Sequence, residues 1–204
     1  MKEPLPPILS LPVPLLLMAS VVVVSVLGWI IKPLQRALIL SPFLVRRGQV
    51  HRLLTSGWVH ADVSHLLFNM VSLYLFAEPV LRALGATLFL TLYVSAVVMA
   101  SIPTTLRHMR DPKYGSLGAS GAVAAVMFSA ILLNPRMKLY LMVLPIPLPA
   151  PLFAVGYLAY SAYRSYRAGD DINHDAHFSG AIYGAIFTYG FASAQVARAL
   201  KGLF

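Results

Sequence analysis

The sequence predicts an all-α membrane protein whose chain crosses the bilayer six times as one compact bundle. Of its 204 residues, 58% are hydrophobic and only 11% are charged, with a mean hydropathy of +0.74. A soluble domain carries about 25% charged residues, so this chain lacks the polar surface that water requires. Apolar runs of roughly 20 residues, the length that spans a bilayer, recur along the chain with short connections. We therefore expect a single transmembrane domain over residues 1–204.

Six helices are predicted from these runs and from the residues that interrupt them. The first run, Leu11–Ile31, has no charge and exceeds the 7–15 residues typical of a signal-peptide core, so we interpret it as a retained helix. Gly85 separates the second helix from the third, and alternating prolines delay the fifth helix to about Leu152. The predicted ranges are 11–31, 64–85, 86–105, 119–133, 152–164 and 176–198.

The connection from Lys32 to His65 is too long for a simple turn. It mixes cations with aliphatic residues and Trp58, a composition that suits a structure lying at the membrane interface. The net charge of +9 is scattered over the loops without a basic stripe, which favours lipid phosphates over nucleic acid as the partner. The sequence has no cysteine, which excludes disulfides and thiol catalysis.

Ser120 is a candidate nucleophile because it begins the fourth helix, within Gly118-Ala119-Ser120-Gly121. About 15 residues span roughly 22 Å, less than a ~30 Å hydrocarbon core, so we expect the first turn to be recessed in a wet pit. Helix N-termini expose N–H groups that can stabilise an oxyanion. A packing serine is the alternative. Ser116 competes with it but belongs to the loop.

His177 is a candidate general base, because an ionisable residue in an apolar helix points to function. Ala176, Gly180 and Gly184 recur at four-residue spacing, which lets two helix backbones approach closely. That approach is needed to bring His177 to Ser120. A histidine that hydrogen-bonds between helices is the alternative.

Two neighbours of His177 extend this site. His174 lies one turn earlier, beside Asp175, and is expected to face solvent. A Ser–His–Asp triad that uses Asp175 is conceivable, but adjacency in the sequence is poor evidence for it. We favour a dyad of serine and histidine.

His65 and Asn69 form a third polar cluster at the start of the second helix. They lie four residues apart, so they share one helix face, and both side chains can donate hydrogen bonds. Polar contacts that join helices are the alternative. A zinc site using His60 and His65 is not expected, because five-residue spacing does not put both on one face. No metal and no cofactor is predicted.

Together these clusters resemble the rhomboid family of intramembrane serine proteases, in the family's order and over most of the chain. The matching residues are Arg52 and Thr55 in the first loop, His60, His65 and Asn69 at the second helix, Gly118 to Gly121 at the fourth, and His177, Gly180 and Gly184 on the sixth. His51 and Leu81 stand where the family usually has tryptophan and glutamate. Ala124 replaces an aromatic residue that in some relatives stacks on the base.

The resemblance implies the simplest bacterial form of the family, which has six helices and lies in the cell inner membrane. A protein of this form cleaves transmembrane segments of other membrane proteins. Ser120 and His177 would form the catalytic dyad. The oxyanion would be held by backbone N–H groups of Ser120 and Ala119 and by the side chains of His65 and Asn69. The supporting residues would be His60, holding the first loop against the second helix, with Gly118, Gly121, Gly180, Gly184 and Arg52.

The remaining expectations concern movement, orientation and rival functions. The fifth helix and the loop before His177 are expected to act as gate and cap. Loop charges favour an N-terminus outside the cell, whereas the resemblance implies one inside.

Two other functions are possible for a chain of this kind. A catalytically silent relative that binds membrane clients should lack the serine or the histidine. A transporter should show internal repeats and midplane charges, which the sequence lacks.

Overall fold

A computed structural model describes residues 13–141, 144–167 and 172–201. The first two residues of the predicted first helix lie outside these ranges. The helices are α1 (Val13–Ile30), α2 (Lys32–Leu38), α3 (Pro42–Val45), α4 (Arg52–Thr55), α5 (Val63–His108), α6 (Ser120–Leu133), α7 (Ala150–Arg167) and α8 (His174–Lys201). A 3-10 turn (Ser56–Trp58) follows α4, and the strands β1 (Lys138–Leu141) and β2 (Leu144–Pro149) lie between α6 and α7.

The long helix α5 consists of two helical segments that meet at Gly85. The glycine has φ 75° and ψ 169°, a left-handed φ that residues with a side chain rarely adopt. The break falls where the sequence predicts the end of the second helix. Asp62 caps the start of α5, since its carboxylate accepts the N–H of His65 at 2.8 Å.

Helix α6 occupies the centre of the fold. Every residue from Gly121 to Ile131 is buried, and the helix packs against both α5 and α8. A helix that is apolar on all sides belongs in an interior. Its 14 residues rise about 21 Å, and its first residue is Ser120.

A two-stranded antiparallel hairpin precedes α7, where the sequence analysis expects no strand. Tyr140 pairs with Pro147, and Lys138 pairs with Pro149. Proline breaks a helix interior, but alternate prolines fit a strand edge that donates no ladder hydrogen bonds. Helix α7 accordingly begins at Ala150, two residues before the predicted start, and the prediction of a purely helical chain is wrong at this hairpin.

The exterior of the helices is apolar. Leu75, Phe191 and Ile186 expose 62%, 59% and 66% of their surface, and such side chains recur along α1, α5 and α8. In the described residues, α1 and α5 are long and apolar enough to cross a membrane, and α6 is a shorter apolar helix. The predicted helical class is confirmed. The count of six spans stays a prediction.

Candidate active site

Ser120 is the first residue of α6, and none of the side chains that the structure describes caps this helix. Val123 is the first residue whose N–H bonds back along the chain, to the carbonyl of Ala119 at 2.9 Å. Among the hydrogen bonds of the described residues, none uses the N–H of Ser120. The start of α6 therefore presents a free donor beside the Ser120 side chain.

Three glycines bring α6 and α8 into backbone contact. A β-carbon on Gly180 would lie 2.0 Å from the carbonyl oxygen of Gly121, and one on Gly184 would lie 2.1 Å from that of Ala125. A β-carbon on Gly121 would lie 3.1 Å from the carbonyl oxygen of Ala176. The residue after Ser120 thus packs against the residue before His177, and the two candidate catalytic residues lie near the starts of helices that pack together.

A small cavity lies beside Ser120. Its wall includes Ser116, Gly121, Asn173 and Ala176. The centre of a water molecule can occupy about 20 Å³ of this cavity, so the cavity has room for a single water molecule.

The ring of His65 lies against the loop that leads into Ser120. Gly118 has φ 116°, and a β-carbon there would lie 2.6 Å from Cε1 and 2.7 Å from Nε2 of His65. Only glycine fits both this backbone conformation and this contact. Asn69, one turn further along α5, is buried and donates one amide hydrogen to the His65 carbonyl at 3.0 Å. Its second amide hydrogen has no acceptor among the described residues.

His60 joins the first loop to α1 and to the residue before Ser120. Its Nε2 accepts the N–H of Ala119 at 3.3 Å, which leaves the proton of the neutral ring on Nδ1. Nδ1 then donates to Ser25 Oγ at 2.9 Å, and the Ser25 hydroxyl donates to the Trp58 carbonyl at 3.0 Å. Burial, and then the nearby His65, lower the pKa of His60 to about 3.

These bonds refine two of the expected roles. His60 contacts His65 on α5 at 4.9 Å between ring centroids, yet its hydrogen bonds run to α1 and to Ala119. The N–H of Ala119, expected as an oxyanion donor, is already donated to His60, so the function proposed below does not use it.

His60→Ala should lower the free energy of unfolding by about 1–3 kcal/mol, because the buried N–H of Ala119 loses its acceptor. The wild type should also lose stability as pH falls from about 6.5 towards 3, since unfolded His60 binds a proton in that window and folded His60 does not. Melting temperatures at pH 7 and pH 5 test this, with the exposed His51→Ala as control. An equal pH dependence in wild type and His60→Ala would contradict it.

Arg52 anchors α4 to the end of α2. Its buried guanidinium donates from Nη1 to the carbonyls of Arg36 and Ile39, both at 2.8 Å. Thr55 adds a bond to the Leu38 carbonyl at 2.9 Å. Carbonyls at a helix C-terminus lack partners within the helix and favour a cation, so Arg52 stabilises the first loop.

The Asp175 carboxylate contacts side chains of two other helices. It binds Arg107 at 2.9 Å and accepts the hydroxyl of Ser165, which ties the end of α7 to α5 and α8.

His174 is buried, with 5% of its surface exposed. The expectation that His174 faces solvent is therefore wrong. Its ring meets those of His177 and Tyr160 edge-on, at 5.8 Å and 5.6 Å between centroids. Tyr160 of α7 is thus one of the side chains that contact it.

Asn173 is a residue of the site that sequence reasoning missed. Its Oδ1 accepts the N–H of Ala176 at 3.0 Å and the hydroxyl of Thr104 at 2.7 Å, and its Nδ2 donates to Ser116 Oγ at 3.0 Å. An asparagine just before an apolar helix is a capping signal that could have found it. No group of three or more potential metal ligands occurs among the residues described.

Comparisons with known proteins agree with this architecture. The family model for the Rhomboid domain matches residues 47–194. RHOMBOID-like protein 12, mitochondrial, of Arabidopsis thaliana is 33% identical over 156 residues, which cover 69% of this chain and 46% of that protein. The mouse (Mus musculus) presenilin-associated rhomboid-like protein, mitochondrial, is 28% identical over 149 residues, or 68% and 37%. Bacillus subtilis YdcA, provisionally named a rhomboid protease, is 39% identical over 79 residues, or 39% of each chain.

The chain belongs to the rhomboid family, a family of helical integral membrane proteins. The resemblance seen in the sequence is thereby confirmed. The chain spans less than half the length of these curated relatives.

Proposed function

We propose that this chain is an intramembrane serine endopeptidase that cleaves transmembrane segments of other membrane proteins. The observation that carries the proposal is the glycine contact between α6 and α8, because it joins the neighbours of Ser120 and His177. A hydroxyl and an imidazole on facing helix ends are the parts that acyl transfer requires.

The proposed reaction has two halves. His177 takes the proton of Ser120 Oγ as the oxygen attacks the scissile carbonyl carbon. His177 then gives this proton to the leaving nitrogen, the C–N bond breaks, and an acyl-enzyme remains. A water molecule then attacks the ester carbonyl carbon, with His177 again as base. Ser120 leaves as the hydroxyl.

The oxyanion of each tetrahedral intermediate needs donors near Ser120. The free N–H of Ser120, the ring of His65 and the second amide hydrogen of Asn69 supply them in our proposal. His65 is placed by the Gly118 backbone and Asn69 by its bond to the His65 carbonyl, so both are preorganised.

Asn69→Ala should lower kcat by about 10²–10³ with little change in KM, because its amide meets charge that exists only in the transition state. His65→Ala should behave in the same way. Both constants and the melting temperature are measured in one detergent, with the exposed Asn134→Ala as the matched control. A rise in KM at unchanged kcat would assign Asn69 to helix packing instead.

Helix α7 is proposed as the gate through which the substrate segment enters. Among its described side chains, only Ala150 and Ser161 are buried. An element with few buried contacts opens at low free-energy cost. The substrate segment is expected to unwind near small or helix-breaking residues, so that its backbone reaches Ser120.

The proposed partners are a transmembrane substrate and the lipid bilayer. We propose a bacterial cell membrane as the location. One of these relatives is from a bacterium, whereas the names of the other two give a mitochondrial location.

The proposal is tested with purified protein in liposomes that contain a transmembrane test substrate, and with a fluorophosphonate probe. We expect cleavage, and labelling that Ser120→Ala removes and Ser116→Ala retains. Folded protein that neither cleaves nor reacts at Ser120 would instead indicate a silent, client-binding relative.

A further inference from the structure

Tyr157 of α7 stacks on the ring of His177. The ring centroids are 6.3 Å apart, and the planes are inclined by 23°. On α6, the position one turn after Ser120 is Ala124, which is buried and has no ring to offer. The ring that stacks on the candidate base therefore comes from α7, while His174 meets the same imidazole edge-on.

A second set of rings holds Tyr157. Its centroid lies 5.5 Å from that of Phe128 on α6 and 5.8 Å from that of Phe153, one turn earlier on α7. Tyr157 and Phe153 pack against the apolar cluster that contains Ala124, Phe128 and Ala181. The small alanine side chains of α6 and α8 leave the space through which a ring from α7 reaches His177.

Tyr157 lies in the middle of α7, and both ends of this helix are held by other contacts. Ala150 is buried at the start of the helix. At the end, the Arg107 guanidinium donates to the Ser165 carbonyl at 2.8 Å and binds Asp175 at 2.9 Å. The contact between Tyr157 and His177 thus links the middle of α7 to the site.

We propose that Tyr157 is a positioning residue, which aligns His177 with Ser120 only while α7 is packed against α6 and α8. This inference rests on the protease function proposed above. Stacking covers one face of the imidazole and restricts its side-chain torsions. When α7 moves aside for a substrate segment, the ring leaves His177, and its return restores the alignment. Hydrolysis is then confined to the closed state.

The test compares wild type, Tyr157→Phe and Tyr157→Leu in one detergent. It measures the rate of Ser120 labelling by a small fluorophosphonate, together with kcat and KM for the transmembrane test substrate. Tyr157→Leu should lower the labelling rate and kcat by about threefold to tenfold without raising KM, and Tyr157→Phe should restore both. The control is Tyr163→Leu, an exposed tyrosine of the same helix that should leave both rates unchanged.

An NMR measurement supplies a readout that does not depend on activity. In a Ser120→Ala background, the ring protons of His177 should shift in Tyr157→Leu and keep their positions in Tyr157→Phe. If Tyr157→Leu unfolds, Tyr157→Met keeps an apolar side chain of similar length and replaces it. Equal labelling of Ser120 in wild type and Tyr157→Leu would overturn the positioning role alone. Failure of the wild type to react at Ser120 would overturn both proposals.

Discussion

Ser120→Ala and His177→Ala should each reduce cleavage of a transmembrane test substrate to background, and the double variant should be no slower than either single variant. The two side chains serve one proton-coupled attack, so removing either one removes the whole step. In serine proteases such losses reach about 10⁶ in kcat and are not additive. The measurement is kcat/KM in liposomes for the two single variants and the double variant.

Folding controls accompany this experiment. The Ser120 side chain makes none of the hydrogen bonds recorded among the described residues, so Ser120→Ala should keep the melting temperature of the wild type. Ser116→Ala is the matched serine control. It loses the bond from Asn173, so it should lose some stability and keep most of the rate. A double variant much slower than either single variant would mean that Ser120 and His177 act independently.

Asp175→Asn separates the dyad from a triad. In a triad, the corresponding substitution costs about 10⁴ in kcat. The Asp175 carboxylate is engaged by Arg107 and Ser165, which lie on α5 and α7. We therefore expect a loss well below that value, with a change in how the end of α7 is held. A loss of about 10⁴ would restore Asp175 as the third member.

The parts of the site that follow from local geometry could be predicted from the sequence. His65 and Asn69 share a face because they are four residues apart on a helix, and this holds whatever the helix packs against. Likewise, glycines at four-residue spacing indicate a close helix contact, and Gly180 and Gly184 make one with α6. Four-residue spacing carries this information by itself.

Contacts between distant segments could not be predicted in this way. The bond of His60 to Ser25 joins residues 35 positions apart, and nothing in either local sequence indicates it. The stacking of Tyr157 on His177 depends on how α7 packs. The expectation that His174 is exposed was wrong for the same reason, because its acidic neighbours suggest solvent, whereas in the fold it is buried and contacts the Tyr160 ring of α7.

The hairpin shows a different limit. Its residues are apolar enough to continue a membrane span, and hydropathy alone does not distinguish a strand from a helix in a short run. The prolines at alternate positions, Pro147 and Pro149, predict a delayed start of the helix, but they also fit one edge of a strand.

Gly180→Ala and Gly184→Ala should each abolish the proposed cleavage, and the valine variants should do so more completely. The added β-carbon would lie 2.0 Å or 2.1 Å from a backbone carbonyl oxygen of α6, and a backbone atom cannot rotate away as a side chain can. The only relief is to move α8 away from α6, which carries His177 with it. A misplacement of about 1 Å costs roughly 10²-fold in rate.

Gly190 is the matched control, because it lies on α8 and a β-carbon there meets nothing within 4 Å. Gly190→Ala should keep full activity and gain up to about 1 kcal/mol from the higher helix propensity of alanine. Gly180→Ala has the same gain in propensity but loses the helix contact, so its melting temperature should fall. The experiment measures Ser120 labelling and melting temperature for the alanine and valine series at all three glycines. Full labelling in Gly180→Val would refute the idea that contact between the α6 and α8 backbones holds His177 at Ser120.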